Sequence, residues 1–261
     1  MNDPSFAPAL LRDTADGIAT LTLNRPRQYN ALDRALLQAL HAELDALAAD
    51  AAVRVVVITG AGAAFCAGHD LKEMRALAQA DVESLFGTCS AMMQKLVALP
   101  QPVIAAVNGL ATAAGCQLAA QCDLAVAAET ARFAVSGINL GLFCSTPAVA
   151  LSRNVGRKRA AEMLFTGDFI DAATALEWGL VNRVCRADQV IATAIELAGR
   201  LKAKPRDSLA LGKALFYRQL ESNLAAAYAD ASRTIACNMA GASAQEGVDA
   251  FLQKRPPRWP D

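Results

Sequence analysis

The chain has 261 residues, of which 54% are hydrophobic and 19% charged, and its 25 basic residues balance its 25 acidic ones. That length is enough for one large α/β domain, and zero net charge gives no reason to expect a nucleic-acid or membrane-surface partner. Polar residues interrupt the long apolar stretches, which argues against a membrane span. The opening segment MNDPSFAPALLRD is broken by prolines and resembles neither a secretion signal nor an Arg-rich transit peptide.

Strand and helix patterns alternate through the first two-thirds of the chain. Small or polar residues alternate with apolar ones over Gly17–Leu23, which predicts a strand, and the leucine spacing over Leu36–Leu47 predicts a helix capped by Asp33. Val53–Thr59 predicts a second strand and Asp81–Leu99 a helix that ends before two prolines. The alternation indicates crossover connections and a largely parallel sheet.

The stretch Val103–Ala127 predicts a buried strand, a turn of small residues, the start of a helix and another strand. Val103–Val107 is continuously apolar and ends at Asn108-Gly109. Ala111–Ala120 carries little side-chain bulk at its start, so a ligand could approach the N–H groups that a helix N-terminus leaves unpaired. The alternative is that the small residues only permit close packing of the helix on the strand.

Beyond Val190 the strand patterns cease. Four helices are predicted, over Ala192–Leu201, Asp207–Leu220, Asn223–Met239 and Ser243–Gln253, followed by a basic, proline-broken tail. We therefore predict a core over residues 1–190 and a helical region over residues 191–261 that packs on the core and on a neighbouring subunit.

The cysteines are scattered along the chain without a CxxC pair. There are seven cysteines, and an odd, scattered set is typical of reduced thiols, so we expect a cytoplasmic protein. The only histidines are His41 and His69, and no Cys/His cluster has ligand spacing, so we expect no metal site.

Two segments resemble the crotonase (enoyl-CoA hydratase/isomerase) superfamily. They are AFCAGHDLKEM at residues 64–74 and NGLATAAGC at residues 108–116. Shorter matches are NRP at 24–26, LFTG at 164–167, EWGLV at 177–181 and FLQKR at 251–255, so the resemblance covers nearly the whole chain. Three longer strings, NGLATAAGCQLA, GLFCSTPAVAL and EMLFTGD, indicate one subgroup within the superfamily.

The resemblance implies an α/β fold built as a spiral of ββα units, with a C-terminal helical trimerisation region. It implies assembly into homotrimers or dimers of trimers. It also implies that the ligand is an acyl-CoA thioester, with no separate cofactor because coenzyme A is part of the substrate. Two backbone N–H groups, carried over to His69 and Ala114, would bind the thioester oxygen and stabilise an enolate-like transition state.

By the same resemblance a set of further residues should contact the substrate. Arg27 could meet a phosphate or be an exposed loop cation, and Lys254 could reach the coenzyme A of a neighbouring subunit or simply be solvated. Asp70 should anchor its loop or cap a helix that begins near Leu71. The residues expected to bind substrate are Arg27, Tyr29, Ala31, Ala67, His69, Asp70, Leu71, Leu110, Ala114, Gln117, Ser136, Gly137, Leu140 and Gly141.

Both glutamates that hold the attacking water in the family's hydratases are missing. Their positions are Gln117 and Gly137. Hydration needs groups that exchange protons with that water, whereas an amide cannot take a proton at neutral pH and glycine has no side chain. We therefore expect an enzyme of lyase-class ancestry that acts on a CoA thioester with weak or no hydratase activity.

Other side chains could supply chemistry at the same place. His69 could offer an imidazole with a pKa in the working range, or its side chain could pack while only its N–H acts. Cys144 and Ser145 could be nucleophiles, although neither has an evident histidine to activate it and a buried cysteine is more often an apolar filler.

Two alternative functions stay open. Residues 67–70 and 139–141 resemble decarboxylases that act on methylmalonyl-CoA, in which loss of carbon dioxide itself generates the enolate, although Cys144 stands where those enzymes carry a tyrosine. The other alternative is a protein that binds acyl-CoA without turnover, which the loss of both glutamates would permit.

Overall fold

The computed structural model describes residues 8–260, so residues 1–7 of the opening segment lie outside the described range. The described residues form ten strands and eleven α-helices. The strands are β1 (Leu10–Ala15), β2 (Ile18–Leu23), β3 (Val55–Gly60), β4 (Ala64–Cys66), β5 (Val103–Val107), β6 (Leu110–Thr112), β7 (Leu124–Ala128), β8 (Arg132–Ala134), β9 (Ile170–Asp171) and β10 (Arg183–Cys185). The helices are α1 (Arg34–Ala49), α2 (Leu71–Ala76), α3 (Gln79–Ala98), α4 (Ala114–Gln121), α5 (Ser145–Asn154), α6 (Arg157–Thr166), α7 (Ala172–Glu177), α8 (Val190–Lys202), α9 (Arg206–Leu220), α10 (Leu224–Met239) and α11 (Ala242–Leu252).

The strands form two sheets. The larger has the order β1-β2-β3-β5-β7-β10 and the smaller the order β4-β6-β8-β9. All pairs are parallel except β1 with β2 and β8 with β9. In three successive units the first strand joins the larger sheet, the second joins the smaller sheet and a helix follows. This arrangement confirms the predicted spiral of ββα units.

The core lies around the larger sheet. Every residue of β3 and β5 is buried, as the continuous apolar runs predict. Helix α1 buries the leucines of Leu36–Leu47, and the Asp33 carboxylate caps it by accepting a hydrogen bond from the Leu36 N–H at 2.8 Å. Each fully buried leucine contributes about 1.5–3 kcal/mol to folding.

One predicted boundary is wrong. The segment Leu110–Thr112 is the strand β6, which pairs in parallel with β4 and β8, and helix α4 begins only at Ala114. Three small or apolar residues show no period, so the sequence offers no signal that separates this strand from the helix after it. Among the described residues no helix is long and apolar enough to cross a membrane.

The four predicted C-terminal helices correspond to α8 to α11. Helix α8 packs on the larger sheet through three buried residues, Val190, Ala194 and Ala198, so it covers the core directly. Helix α9 is tied to the core by Lys213, whose Nζ lies 2.7 Å from Asp123 Oδ2. The division at residue 190 and the contact with a neighbouring subunit stay predictions.

Candidate functional site

A cavity of about 830 Å³ opens between the first strand-to-helix connection, the starts of α2 and α4, and the loop before α5. Its walls include many of the predicted residues, namely Arg27, Tyr29, Ala31, Ala67, His69, Asp70, Leu71, Ala114, Ser136, Gly137, Leu140 and Ser145. Leu110, Gln117, Gly141 and Lys254 are not part of the cavity wall.

Two backbone N–H groups at this cavity have no hydrogen-bond partner among residues 8–260. Leu32 donates its N–H to Gly68 O at 2.7 Å and accepts from the Asp70 N–H at 3.2 Å, so this bridge uses the groups on either side of His69 and leaves the His69 N–H unpaired. Ala114 is the first residue of α4, and its N–H has no acceptor within the helix. Both residues line the cavity.

Unusual backbone conformations precede both donors. Gly68 has φ 91° and Ala113 has φ 49°, and both values lie in the region that favours glycine. For an alanine this conformation costs on the order of 1–3 kcal/mol, and such strain persists only where the surrounding structure holds it.

Close backbone contacts bring the two donor segments together. A Cβ added to Gly68 would lie 3.0 Å from Ala113 Cβ, and one added to Gly115 would lie 1.9 Å from Cys66 O. The glycines therefore let the loop after β4 and the start of α4 touch. The two N–H groups belong to these touching segments of the cavity wall.

The His69 imidazole is largely buried beside Phe86. The ring centroids are 4.9 Å apart in an edge-to-face arrangement, and His69 Nε2 has no hydrogen-bond partner in the described part of the chain. Burial lowers the pKa of His69 to about 4 from its ordinary 6.5, because the charged ring would lose its hydration. Of the two possibilities left open for His69, burial beside Phe86 favours the packed side chain, and the lowered pKa makes the imidazole neutral at pH 7.

Asp70 has the predicted anchoring role. Its carboxylate caps α2 by accepting hydrogen bonds from the N–H groups of Lys72 and Glu73, and it lies 3.2 Å from Arg25 Nη2. Burial by itself would raise the pKa of Asp70, but these hydrogen bonds from Glu73, Arg25 and Lys72 outweigh it, and the pKa is lowered. Asp70 is thus held as an ion-paired structural carboxylate.

No proton-transfer group stands at the two glutamate positions. Gln117 is buried and does not line the cavity, and its Oε1 has no partner in the described chain. At Gly137 the space for a side chain is already filled, since an added Cβ would lie 2.6 Å from Leu142 O and 2.7 Å from Cys144 Sγ. The Gly137 N–H donates to that sulfur at 3.3 Å.

The candidate nucleophiles have no activating partner within the described range. Burial raises the pKa of the Cys144 thiol, so it stays protonated and weakly nucleophilic. The Ser145 hydroxyl donates to Phe143 O at 3.3 Å, and no histidine or carboxylate hydrogen-bonds to it. No group of three or more histidine, cysteine or acidic residues across residues 8–260 could hold a metal ion.

Several wall residues were missed by the sequence analysis. They are Gln28, Lys72, Met74, Val82, Phe86, Thr112, Ala113, Leu142, Phe143, Thr146 and Pro147. Val82 and Phe86 stand four residues apart on a helix that was predicted, but this spacing is equally typical of a helix that packs on a core. The apolar pair Leu142-Phe143 stands directly before the candidates Cys144 and Ser145 in the sequence, and this position is the signal that could have been followed.

The enoyl-CoA hydratase/isomerase family model matches residues 13–261. Among similar proteins, mouse enoyl-CoA hydratase domain-containing protein 3, mitochondrial, is 46% identical over 245 residues, which cover 94% of this chain and 82% of the relative. The 2,3-dehydroadipyl-CoA hydratase of Escherichia coli K12 is 39% identical over 242 residues, which cover 92% of this chain and 94% of the relative.

Solved structures of enoyl-CoA hydratases are also similar to this chain. A crystal structure of an enoyl-CoA hydratase from Mycobacterium smegmatis has a TM-score of 0.95 and 57% identity, and the match covers 97% of this chain and 99% of that one. The structure of human enoyl-CoA hydratase domain-containing protein 3 has a TM-score of 0.93 and 43% identity, with 96% and 100% covered. The resemblance to that subgroup, which the three longer strings indicated, is confirmed.

The predicted cytoplasmic location is contradicted by the same comparison. The matched relatives from mouse, rat, Xenopus laevis, human and Danio rerio are all named mitochondrial proteins. Scattered cysteines indicate reduced thiols, and this redox signal does not specify a compartment.

From the matched family model and these relatives, the chain belongs to the enoyl-CoA hydratase/isomerase family.

Proposed function

We propose that this protein binds an acyl-CoA thioester and stabilises an enolate-like oxyanion with the N–H groups of His69 and Ala114. The observation that carries the proposal is the pair of unpartnered N–H groups on touching segments of one cavity wall. Such preorganised donors stabilise a developing oxyanion by about 2.7–4 kcal/mol each.

Two exposed cations on the cavity wall suit the phosphates of coenzyme A. Arg27 and Lys72 are exposed on the wall, and neither has an ion-pair partner among the described residues. The neighbouring Asp70 carboxylate is neutralised by Arg25. Two free cations beside a neutralised carboxylate favour an anionic group, and the coenzyme A arm supplies one.

Ordinary hydration should be weak or absent, because both glutamate positions lack a carboxylate and the Asp70 carboxylate on the described cavity wall is held by Arg25 and by the start of α2. His69 is neutral with a pKa of about 4, the Cys144 thiol is protonated, and Gln117 is an amide. The reaction would then depend on oxyanion stabilisation alone. A substrate that forms an enolate without an internal base fits this limit.

Two other functions are compatible with the lack of a glutamate at both positions. Decarboxylation of a malonyl-type thioester needs oxyanion stabilisation and no internal base, but a neutral His69 would offer no positive charge to the departing carboxylate. Binding of acyl-CoA without turnover requires neither oxyanion stabilisation nor a positive charge beside the substrate. A panel of malonyl-type thioesters that releases no carbon dioxide would remove the first, and any turnover that depends on the two N–H groups would remove the second.

Infrared difference spectroscopy of bound, ¹³C-carbonyl-labelled hexanoyl-CoA tests the proposed oxyanion donors without requiring turnover. Ala114→Pro deletes one donor while proline remains acceptable at the first position of a helix. We expect the carbonyl band to shift on binding to the wild type and to Ala114→Gly, which keeps the N–H, and to shift less with Ala114→Pro. An equal shift in all three proteins contradicts the assignment.

Mass spectrometry of acyl-CoA mixtures incubated with the wild-type protein identifies bound species and products together. We expect retention of acyl-CoA with little hydration of crotonyl-CoA. Rapid hydration that disappears with Gln117→Ala would contradict the proposed loss of hydratase activity.

Self-association is also proposed, on the family resemblance and on the apolar surface of the C-terminal helices. Helices α9 and α10 contain no buried residue, and they expose large side chains such as Phe216, Leu224 and Tyr228. A trimer, or a dimer of trimers, would cover such a surface. Light scattering after gel filtration should give three or six times the 27.3 kDa chain mass.

A further inference from the structure

We propose that Arg25 is a positioning residue that fixes the direction of the His69 N–H, an inference that rests on the proposed oxyanion function. Arg25 does not line the cavity, so it acts through the backbone segment that carries this donor. Its guanidinium contacts residues on both sides of the bridge between Leu32 and His69.

The segment that carries the His69 N–H is held by few backbone hydrogen bonds. It lies between β4 and α2 and pairs with the loop before α1 through an isolated bridge. In this bridge the Leu32 N–H donates to Gly68 O at 2.7 Å, and the Asp70 N–H donates to Leu32 O at 3.2 Å. The Ala67 N–H makes one more hydrogen bond to the same loop, at 3.0 Å. The direction of the His69 N–H therefore depends on where this loop is held.

The Arg25 guanidinium holds both sides of the bridge. On one side Nη1 donates to Ala31 O and Nη2 lies 2.9 Å from Asp33 Oδ2, so the residues before and after Leu32 are both held. On the other side the same Nη2 lies 3.2 Å from Asp70 Oδ2. One side chain thus links the chain neighbours of both bridge residues.

The two carboxylates connect the guanidinium to the starts of two helices. Asp33 uses its other oxygen to accept a hydrogen bond from the Leu36 N–H at 2.8 Å, in the first turn of α1. Asp70 uses its other oxygen to accept from N–H groups in the first turn of α2. Each carboxylate is therefore held at both oxygens, so the guanidinium lies between two fixed helix starts.

Loss of the guanidinium would replace attraction by repulsion. The side chains of Arg25, Asp33 and Asp70 are 17%, 21% and 17% exposed, so water screens their charges only in part. Without the cation, two carboxylates that now contact the same nitrogen would repel each other across the bridge. The loop before α1 and the start of α2 would then separate, and the His69 N–H would turn away from its place on the cavity wall.

Infrared difference spectroscopy of bound, ¹³C-carbonyl-labelled hexanoyl-CoA tests the inference, because the carbonyl band reports on the donors directly. Arg25→Met removes the cation and keeps an unbranched side chain. Saturating ligand separates a change in the band from a change in affinity. We expect the shift of the band on binding to fall by about half relative to the wild type, because one of the two proposed donors is displaced.

Arg12→Met is the matched control. Arg12 also pairs with two carboxylates, Glu43 at 2.9 Å and Asp50 at 2.7 Å, but it belongs to β1 and is not part of the cavity wall. Both variants remove an arginine from between two carboxylates, so a general loss of stability would affect them alike. We expect the wild-type shift in Arg12→Met, and a reduction as large as that in Arg25→Met would contradict a specific positioning role.

The same spectra separate failure of the inference from failure of the proposed function. A wild-type shift in Arg25→Met overturns the inference and leaves the proposed function intact, since the donors would then be held without Arg25. No shift in the wild-type protein itself would remove the proposed function, and the inference with it.

Arg25→Lys provides the second test, and it decides the outcome if Arg25→Met does not fold or does not bind hexanoyl-CoA. Lysine keeps a charge between the two carboxylates, but it has one nitrogen in place of the guanidinium fork and cannot hold Ala31 O and both carboxylates in the same geometry. We expect a carbonyl shift smaller than that of the wild type and larger than that of Arg25→Met. A folded Arg25→Lys that gives the wild-type shift would contradict the inference.

Discussion

Two regions at or beside the cavity differ in what they supply. The segments that end at His69 and Ala114 supply backbone N–H groups, held in place by close glycine contacts and a bridge to Leu32. The region around Gln117 and Gly137 supplies only side-chain positions, and neither carries a carboxylate. The proposed oxyanion binding depends on backbone conformation and tolerates replacement of side chains, whereas proton transfer by a glutamate pair is lost when the residue type changes.

The largest expected effect comes from a substitution that disrupts the contact between the two segments that carry the backbone N–H groups. Gly115→Ala would place a Cβ 1.9 Å from Cys66 O, a backbone atom that cannot rotate away. We expect the free energy of unfolding to fall by about 3–5 kcal/mol, measured by urea denaturation at one fixed protein concentration. The binding of acyl-CoA should weaken as well, because the segments that carry His69 and Ala114 would separate.

Gly87→Ala is the matched control, since Gly87 lies within α3 and has nothing within 4 Å of an added Cβ. It should raise the free energy of unfolding by about 0.5–1 kcal/mol. Similar losses in both variants would show that the effect is not specific to the contact between α4 and β4.

The second prediction concerns the imidazole beside the backbone donors. Because burial lowers the pKa of His69 to about 4 from 6.5, the unfolded chain binds more protons than the folded chain between these two pH values. The free energy of unfolding should therefore fall as the pH is lowered through this window, by up to about 3 kcal/mol. Well above pH 6.5 the ring is neutral in both the folded and the unfolded chain, so its titration should no longer change the free energy of unfolding.

The measurement is chemical denaturation at a series of pH values for the wild type and for His69→Gln. The variant lacks the titrating ring, so its stability should fall less between pH 6.5 and pH 4. Parallel curves for the two proteins would show that His69 titrates normally in the folded state, and nuclear magnetic resonance of the ring protons would check this directly.

The third and smallest expected effect comes from placing a glutamate at one of the two positions that lack it. Gly137→Glu would bring its Cβ within 2.7 Å of Cys144 Sγ and 2.6 Å of Leu142 O. The loop must shift, so we expect the free energy of unfolding to fall by about 1–3 kcal/mol with no gain in hydration of crotonyl-CoA.

Gln117→Glu is the companion variant, because it changes the charge at the other glutamate position with almost no change in volume. Combining it with Gly137→Glu should still give no hydratase, since the loop at Leu142 keeps the second carboxylate out of place. A stable double variant that hydrates crotonyl-CoA would show that side-chain identity alone had removed the activity.

Much of the architecture could be predicted from residues close together in the sequence. The continuous apolar run Val103–Val107 and the leucines of Leu36–Leu47 have the periods of a buried strand and of an amphipathic helix, and both elements form as predicted. The short strand β6 could not be predicted, because its three residues form a strand only by pairing with β4 and β8.

For the site, the sequence by itself determined the family and the absence of both glutamates, since both depend only on which residues stand at which positions. Tertiary structure decided the rest. The pKa of His69 depends on burial beside Phe86, the closed space at Gly137 depends on Cys144, and the ion pairs of Arg25 depend on the loop before α1 meeting the start of α2. These are contacts between residues brought together by folding, and the electrostatics and volume of a cavity come from such contacts.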